Sequence, residues 1–186
     1  MTTRLTQNDL LFGFEKLGIE ADGNDAKLVT SRYDADEDGK LGFWEFSNML
    51  MPVDPMIRDE LERKASGLDL TPETRQEIQH LIRKVIDAES MVEAIRQNIE
   101  KNVPLSLREV FDHLDWLKRG FLTSSEFRRY FDGYPGETES LKKGAETHAD
   151  ILEGLLRRFN KDKLNGRVSL PEFLDELTSK CPTKNF

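Results

Sequence analysis

Residues 34 to 45 read Asp-Ala-Asp-Glu-Asp-Gly-Lys-Leu-Gly-Phe-Trp-Glu, and no other stretch of the chain limits its structure so tightly. Carboxylates fall on the first, third and fifth residues of this twelve-residue run (Asp34, Asp36 and Asp38), a glycine on the sixth (Gly39) and a glutamate on the twelfth (Glu45). Short acidic side chains on alternate residues converge on one point. Glycine permits the sharp turn that aims the next carbonyl, that of Lys40, at the same point. The longer Glu45 side chain reaches back from the following helix. An all-oxygen set of this kind suits a hard cation that takes six to eight oxygens. Ca²⁺ is therefore expected, held by Asp34, Asp36, Asp38, the Lys40 carbonyl and Glu45. Gly42, ninth in the run, has no side chain to offer, so a water is expected there. An acidic surface turn is the bland alternative. It would not require five constrained positions to agree, or apolar helical patterns on both flanks.

The remainder of the chain repeats this plan in weaker form. Residues 4–17 predict a helix with Leu10, Phe14 and Leu17 on one face, capped by Thr6 with Asp9 three residues later. Leu5 and Asp9 stand where the eighth and twelfth residues of a loop would stand, so this segment reads as half of a unit. Asn24 or Asp25 is expected to cap a helix running to Tyr33, and Phe43–Met51 to form the helix after the loop. Pro52 and Pro55 close that unit, and a charged amphipathic helix is predicted for Asp54–Ala65. Thr71 and Pro72 start a long helix to about Lys101, roughly 45 Å at the standard rise. Its apolar residues Ile78, Leu81, Ile82, Val85, Met91, Val92, Ile95 and Ile99 recur every three or four positions, interrupted by Glu89 and Arg96. This predicts a connector with an apolar face for each of two lobes, and a partner-binding coiled coil as the alternative.

After Pro104, Ser106 and Glu109 predict a capping box for a helix at Leu107–Leu114, which enters a second loop, Asp115–Glu126. There Leu117 and Arg119 replace the third and fifth carboxylates, while Gly120 and Glu126 are kept. A cation at the fifth place predicts a loop that holds no metal and serves structure. Gly133 to Thr147 reads as a connector, and Asp150–Phe159 as the helix entering a thirteen-residue loop, Asn160–Glu172. With Leu164 inserted, Asn160, Asp162, Asn165, Ser169 and Glu172 take the ligand places. Only two of these are carboxylates, so this loop is expected to stay empty. Internal repeats support the parse: Leu5-Thr6-Gln7-Asn8-Asp9-Leu10 parallels Leu122-Thr123-Ser124-Ser125-Glu126-Phe127. Paired loops are expected to join by short β-bridges, Leu5 with Leu41 and Leu122 with Val168. The organisation predicted is all-α: an N-terminal lobe at 1–53, a helical linker at 54–103 and a C-terminal pair at 104–186.

The 186 residues carry 27 Lys plus Arg against 35 Asp plus Glu, a net charge of −8, which argues against nucleic acid and suits a cation binder. The one cysteine, Cys181, allows no intrachain disulfide and fits a reducing, cytoplasmic setting; it reads as an incidental thiol near a mobile terminus. No apolar run has the length of a membrane span, and no signal peptide opens the chain. His80, His113 and His148 are isolated from any nucleophile set, so no enzyme is expected.

The loop and the repeat resemble the EF-hand superfamily, beside calmodulin and centrin. The stretches Leu5-Thr6-Gln7-Asn8-Asp9-Leu10, Leu17-Gly18-Ile19, Arg32-Tyr33-Asp34 through Met49-Leu50-Met51-Pro52, and Glu73-Thr74-Arg75 look like EF-hand proteins of ciliated and flagellated single-celled organisms. The resemblance implies a calcium-binding regulatory or adaptor module. The partner would be a protein, either a target helix or a cytoskeletal filament such as a microtubule, in a cilium or flagellum. It also implies an alternative: a structural, axonemal scaffold in which the lobes are packing units and calcium is mainly stabilising. One full loop stands where calmodulin has four, which argues against a steep cooperative switch.

Overall fold

The computed structural model describes residues 4–52, 54–64, 71–102, 104, 106–132, 148–159 and 166–181. Among these residues the protein is predominantly α-helical, with nine helices and two short strands. In chain order they are α1 (Gln7–Leu17), α2 (Gly23–Tyr33), α3 (Phe43–Leu50), α4 (Pro55–Arg63), α5 (Pro72–Asn102), α6 (Leu107–Leu114), β1 (Phe121–Leu122), α7 (Ser124–Asp132), α8 (His148–Phe159), β2 (Val168–Ser169) and α9 (Leu170–Leu177). Two compact units form, one from Met1–Ile95 with Lys180–Phe186, the other from Arg96–Ser179. The division falls inside α5, so the segment expected as a linker contributes residues to both units. None of the described helices is long and apolar enough to cross a membrane.

In the first unit, α1 begins with a reciprocal cap: the Thr6 N–H donates to Asp9 Oδ2 at 2.9 Å and the Asp9 N–H to Thr6 Oγ1 at 3.3 Å. It ends at Gly18, whose φ of 74° is open to a residue without Cβ. The carbonyls left unpaired at that end are taken up by α5. Arg75 donates to Lys16 O at 2.5 Å, Gln79 to Leu17 O, and Arg83 to Gly18 O at 2.8 Å. Helix α2 starts earlier than the sequence suggested. Asp22 is its cap, accepting from Asn24 and Asp25, and Asp25 returns a bond to the Asp22 N–H at 2.8 Å. Asp25 is thus the far member of a capping box rather than the cap. An isolated antiparallel bridge joins Leu5 to Leu41, at the residues expected for it, and Leu41 is fully buried. Leu10, Phe14, Ile19, Val29, Leu41 and Met49 form the core with Ile82 and Ile86 of α5.

The buried face of α5 differs from the apolar stripe expected of it. Ile82, Ile86, Glu89, Glu93 and Arg96 are buried, whereas Leu81, Met91 and Ile95 are exposed. The buried set keeps the three-to-four spacing, but its charged members are inside because they have partners. In the first unit Glu89 lies 3.9 Å from Arg32, and Glu93 accepts the backbone N–H groups of Lys180 and Cys181, both at 2.9 Å. Cys181, read from the sequence as an incidental thiol near the terminus, is buried, with its Sγ 3.8 Å from Asn24 O. Burial, reinforced by the Glu93 charge, pushes its thiol pKa up.

In the second unit β1 and β2 pair antiparallel, Leu122 opposite Val168 and Phe121 opposite Ser169; the first of these pairs was expected from the sequence. Phe111, Phe127, Phe159 and Phe173 fill the core around Leu122, Leu152 and Val168, with ring centroids 5.5–5.6 Å apart. Glu176 of α9 is buried between two guanidinium groups, Arg96 and Arg158, each 2.6 Å from its Oε1. Ser106 precedes α6 without a side-chain capping bond, so the capping box expected there is absent. The expected connector at 133–147 and the first part of the thirteen-residue loop, 160–165, lie outside the described residues.

Candidate metal centre

Asp34 ends α2 and Glu45 lies in the first turn of α3, so the two helices deliver the first and last carboxylates of the run between them. Asp34 is buried and organises the turn: its Oδ2 accepts the Gly39 N–H at 2.7 Å and its Oδ1 the Asp38 N–H at 3.2 Å. Two residues take positive φ, Glu37 at 58° and Gly39 at 78°. Asp38 Oδ1 in turn accepts the Lys40 N–H at 2.9 Å. Glu45, also buried, ties the two ends together: Oε1 accepts from Ala35 N at 2.7 Å and Oε2 from Gly42 N at 2.7 Å.

This winding brings together oxygens of Asp34, Asp36 and Asp38, all within 4.8 Å of one another. Asp36 and Asp38 are exposed on the solvent side of the cluster. Burial holds the Asp34 carboxyl above the usual carboxylate range, and the Glu45 and Asp36 charges add to the effect, against the pull of the Gly39 N–H. The loop therefore concentrates negative charge around a site of hard oxygen donors, the donor type that oxygen-loving cations select. The Asp cluster can chelate a metal ion. Of the five residues the sequence pointed to, three form this cluster, Glu45 braces it, and Lys40 follows the glycine turn.

The sequence reading missed Arg4. Its guanidinium lies 3.0 Å from Asp36 Oδ2 and also pairs with Asp38 Oδ2. The clue was available, because Leu5 was already placed at the bridge to Leu41, which sets its neighbour beside the loop.

The second loop has the same backbone frame and a different charge plan. Asp115 accepts the N–H groups of Arg119 at 2.9 Å and Gly120 at 2.7 Å, as Asp34 does from Asp38 and Gly39. Lys118 and Gly120 take positive φ, 55° and 79°. The cation, however, is built in: Arg119 Nη2 lies 2.7 Å from Oε1 of Glu126, whose side chain is 1% exposed. Burial alone would raise the pKa of Asp115. The Arg119 and Gly120 N–H groups and the Lys118 and Arg119 charges outweigh it and hold the carboxyl below the usual range. Burial likewise opposes Glu126, and the Thr123 hydroxyl and N–H together with Arg119 hold it low.

One further link recurs at the starts of α1, α3, α7 and α9. The residue three places ahead donates its N–H to the carboxylate: Thr6 to Asp9, Gly42 to Glu45, Thr123 to Glu126 and Ser169 to Glu172, at 2.7–2.9 Å. No protein-family model matches the chain, and no curated protein matches it.

Proposed function

We propose that Asp34–Glu45 is an EF-hand calcium loop and that the chain is a calcium-binding regulatory or adaptor module. The observation that carries this reading is the aspartate cluster of a loop braced at both ends by Glu45. Asp34, Asp36, Asp38, the Lys40 carbonyl and Glu45 would hold the ion. When bound, Ca²⁺ would supply the positive charge that the buried Asp34 and Glu45 lack. Asp34 fixes the turn, Gly39 admits its positive φ, and Glu45 couples the loop to α3. The pairing of loops through Leu5–Leu41 and through β1–β2 supports two EF-hand pairs, the first with only half of its leading hand. Exposed Phe43, Trp44, Met56 and Ile57 on α3 and α4 support a protein partner, such as a target helix.

A second reading is favoured by Arg119. A loop that carries its own cation is a packing unit, as a structural protein on a cytoskeletal filament such as a microtubule would use it. For that reading, and for a place in a cilium or flagellum, the support is the sequence resemblance.

Titration calorimetry of the wild type and Glu45→Gln tests the first reading, with Trp44, 60% exposed beside the loop, as a fluorescence reporter. One calcium site that disappears in the variant is the expected result. No binding at millimolar calcium would refute a sensor and leave the structural reading.

A further inference from the structure

Arg4 and Arg119 both set a guanidinium against loop carboxylates, but in different surroundings. Arg119 belongs to its own loop and reaches a glutamate sealed from solvent. Arg4 comes from outside the loop, and its side chain is 42% exposed, with Asp36 and Asp38 at 50% and 31%. The first arrangement is locked. The second is open to exchange, because water reaches both partners.

We infer that Arg4 is an intramolecular competitor for the cation site at Asp34, Asp36 and Asp38, an inference that rests on the calcium reading above. Its guanidinium holds two of the three aspartates of the cluster until a divalent cation takes them. The competitor is close at hand because Leu5, the next residue, is clamped to Leu41 by two backbone bonds of 2.8 Å. The tether therefore gives Arg4 a high effective concentration at the site with little backbone ordering left to do. Both partners are charged and reached by water, so the competition is set by calcium and weakened by salt. Arg4 thereby sets the threshold at which calcium enters: the loop alone would bind more tightly than the loop with its neighbour.

Calcium titration of the whole chain, wild type against Arg4→Gln, reads this directly. Each exposed ion pair contributes little, so removing both is expected to tighten calcium binding by about three- to tenfold. NMR of the Arg4 side-chain Nε–H gives a second readout: hindered guanidinium rotation in chelator, released at saturating calcium. Equal affinities in the two proteins, or an Arg4 signal indifferent to calcium, would overturn the inference. If Glu45→Gln still abolished binding in that case, the calcium loop itself would stand. Absence of calcium binding in both wild type and Arg4→Gln would remove the calcium loop as well.

Discussion

Arg119→Met separates charge from packing in the second loop. Methionine keeps an unbranched stem beside Phe121, whose ring centroid lies 4.7 Å from the guanidinium carbon, and deletes the cation. Breaking a buried ion pair from one side costs about 3–5 kcal/mol. Two features reduce that figure here. Arg119 is 35% exposed, so solvent already screens it, and Glu126 keeps the Thr123 N–H and hydroxyl bonds at 2.8 and 2.6 Å. A loss of about 1.5–2.5 kcal/mol at neutral pH is expected. The loss should depend on pH. In the wild type, folded Glu126 binds its proton more weakly than the unfolded chain does. Stability from its charge is fully present above the unfolded value, about 4.3, and is lost as pH falls through the lower folded value. The variant lacks the Arg119 share of that stability, so the two proteins converge across the same window. Urea unfolding followed by Trp116 fluorescence, in a Trp44→Phe background that silences the first unit, measures the difference at pH 7 and near pH 3. A difference that is the same at both pH values would assign the effect to packing. No difference at pH 7 would refute the argument that Arg119 does the work of a metal.

Arg96→Ala should destabilise the second unit by about 3 kcal/mol, the low end for a broken buried pair, since Arg158 stays beside Glu176. Chemical denaturation read at Trp116 checks it. Cys181 should react with a thiol reagent no faster than its segment opens, because it is buried and its thiol is held protonated by burial and by Glu93. Glu93→Gln weakens the acceptor that receives the Lys180 and Cys181 N–H groups, so labelling should speed up several-fold. An unchanged rate would show that Glu93 does not hold the segment.

The loops were legible in the sequence because their chemistry is local. The carboxylate of Asp34 serves N–H groups four and five residues on, and Glu45 serves one three residues back and one ten residues back, all inside the same twelve-residue run. Glycine at the left-handed place and acids at fixed spacing are what such short links demand, so the pattern survives as spelling. The face of α5 was not legible for the opposite reason. Its apolar residues offer overlapping stripes, and which one is buried depends on partners far along the chain. Arg96 meets Glu176 at a separation of 80 residues, and Glu93 meets Lys180 at 87. A charged residue reads as an interruption of an apolar stripe until its distant partner is known. Met91 and Ile95 then read as core when they are surface.

The two loops pose one electrostatic problem and answer it at different depths. Each gathers a buried aspartate and a buried glutamate at the junction of two helices, and an unpartnered pair of that kind is costly in a low-dielectric setting. In the second loop the compensating cation is covalently part of the loop and faces the sealed glutamate, so a dissolved ion has less to gain there. Among the described residues, Glu45 of the first loop is braced by backbone N–H groups alone and Arg4 reaches only the exposed aspartates, and Asp34 keeps a raised pKa. The buried half of that charge is the half that Arg4 leaves uncompensated. A dissolved divalent cation has most to gain there, which is why the first loop and not the second is the one to titrate.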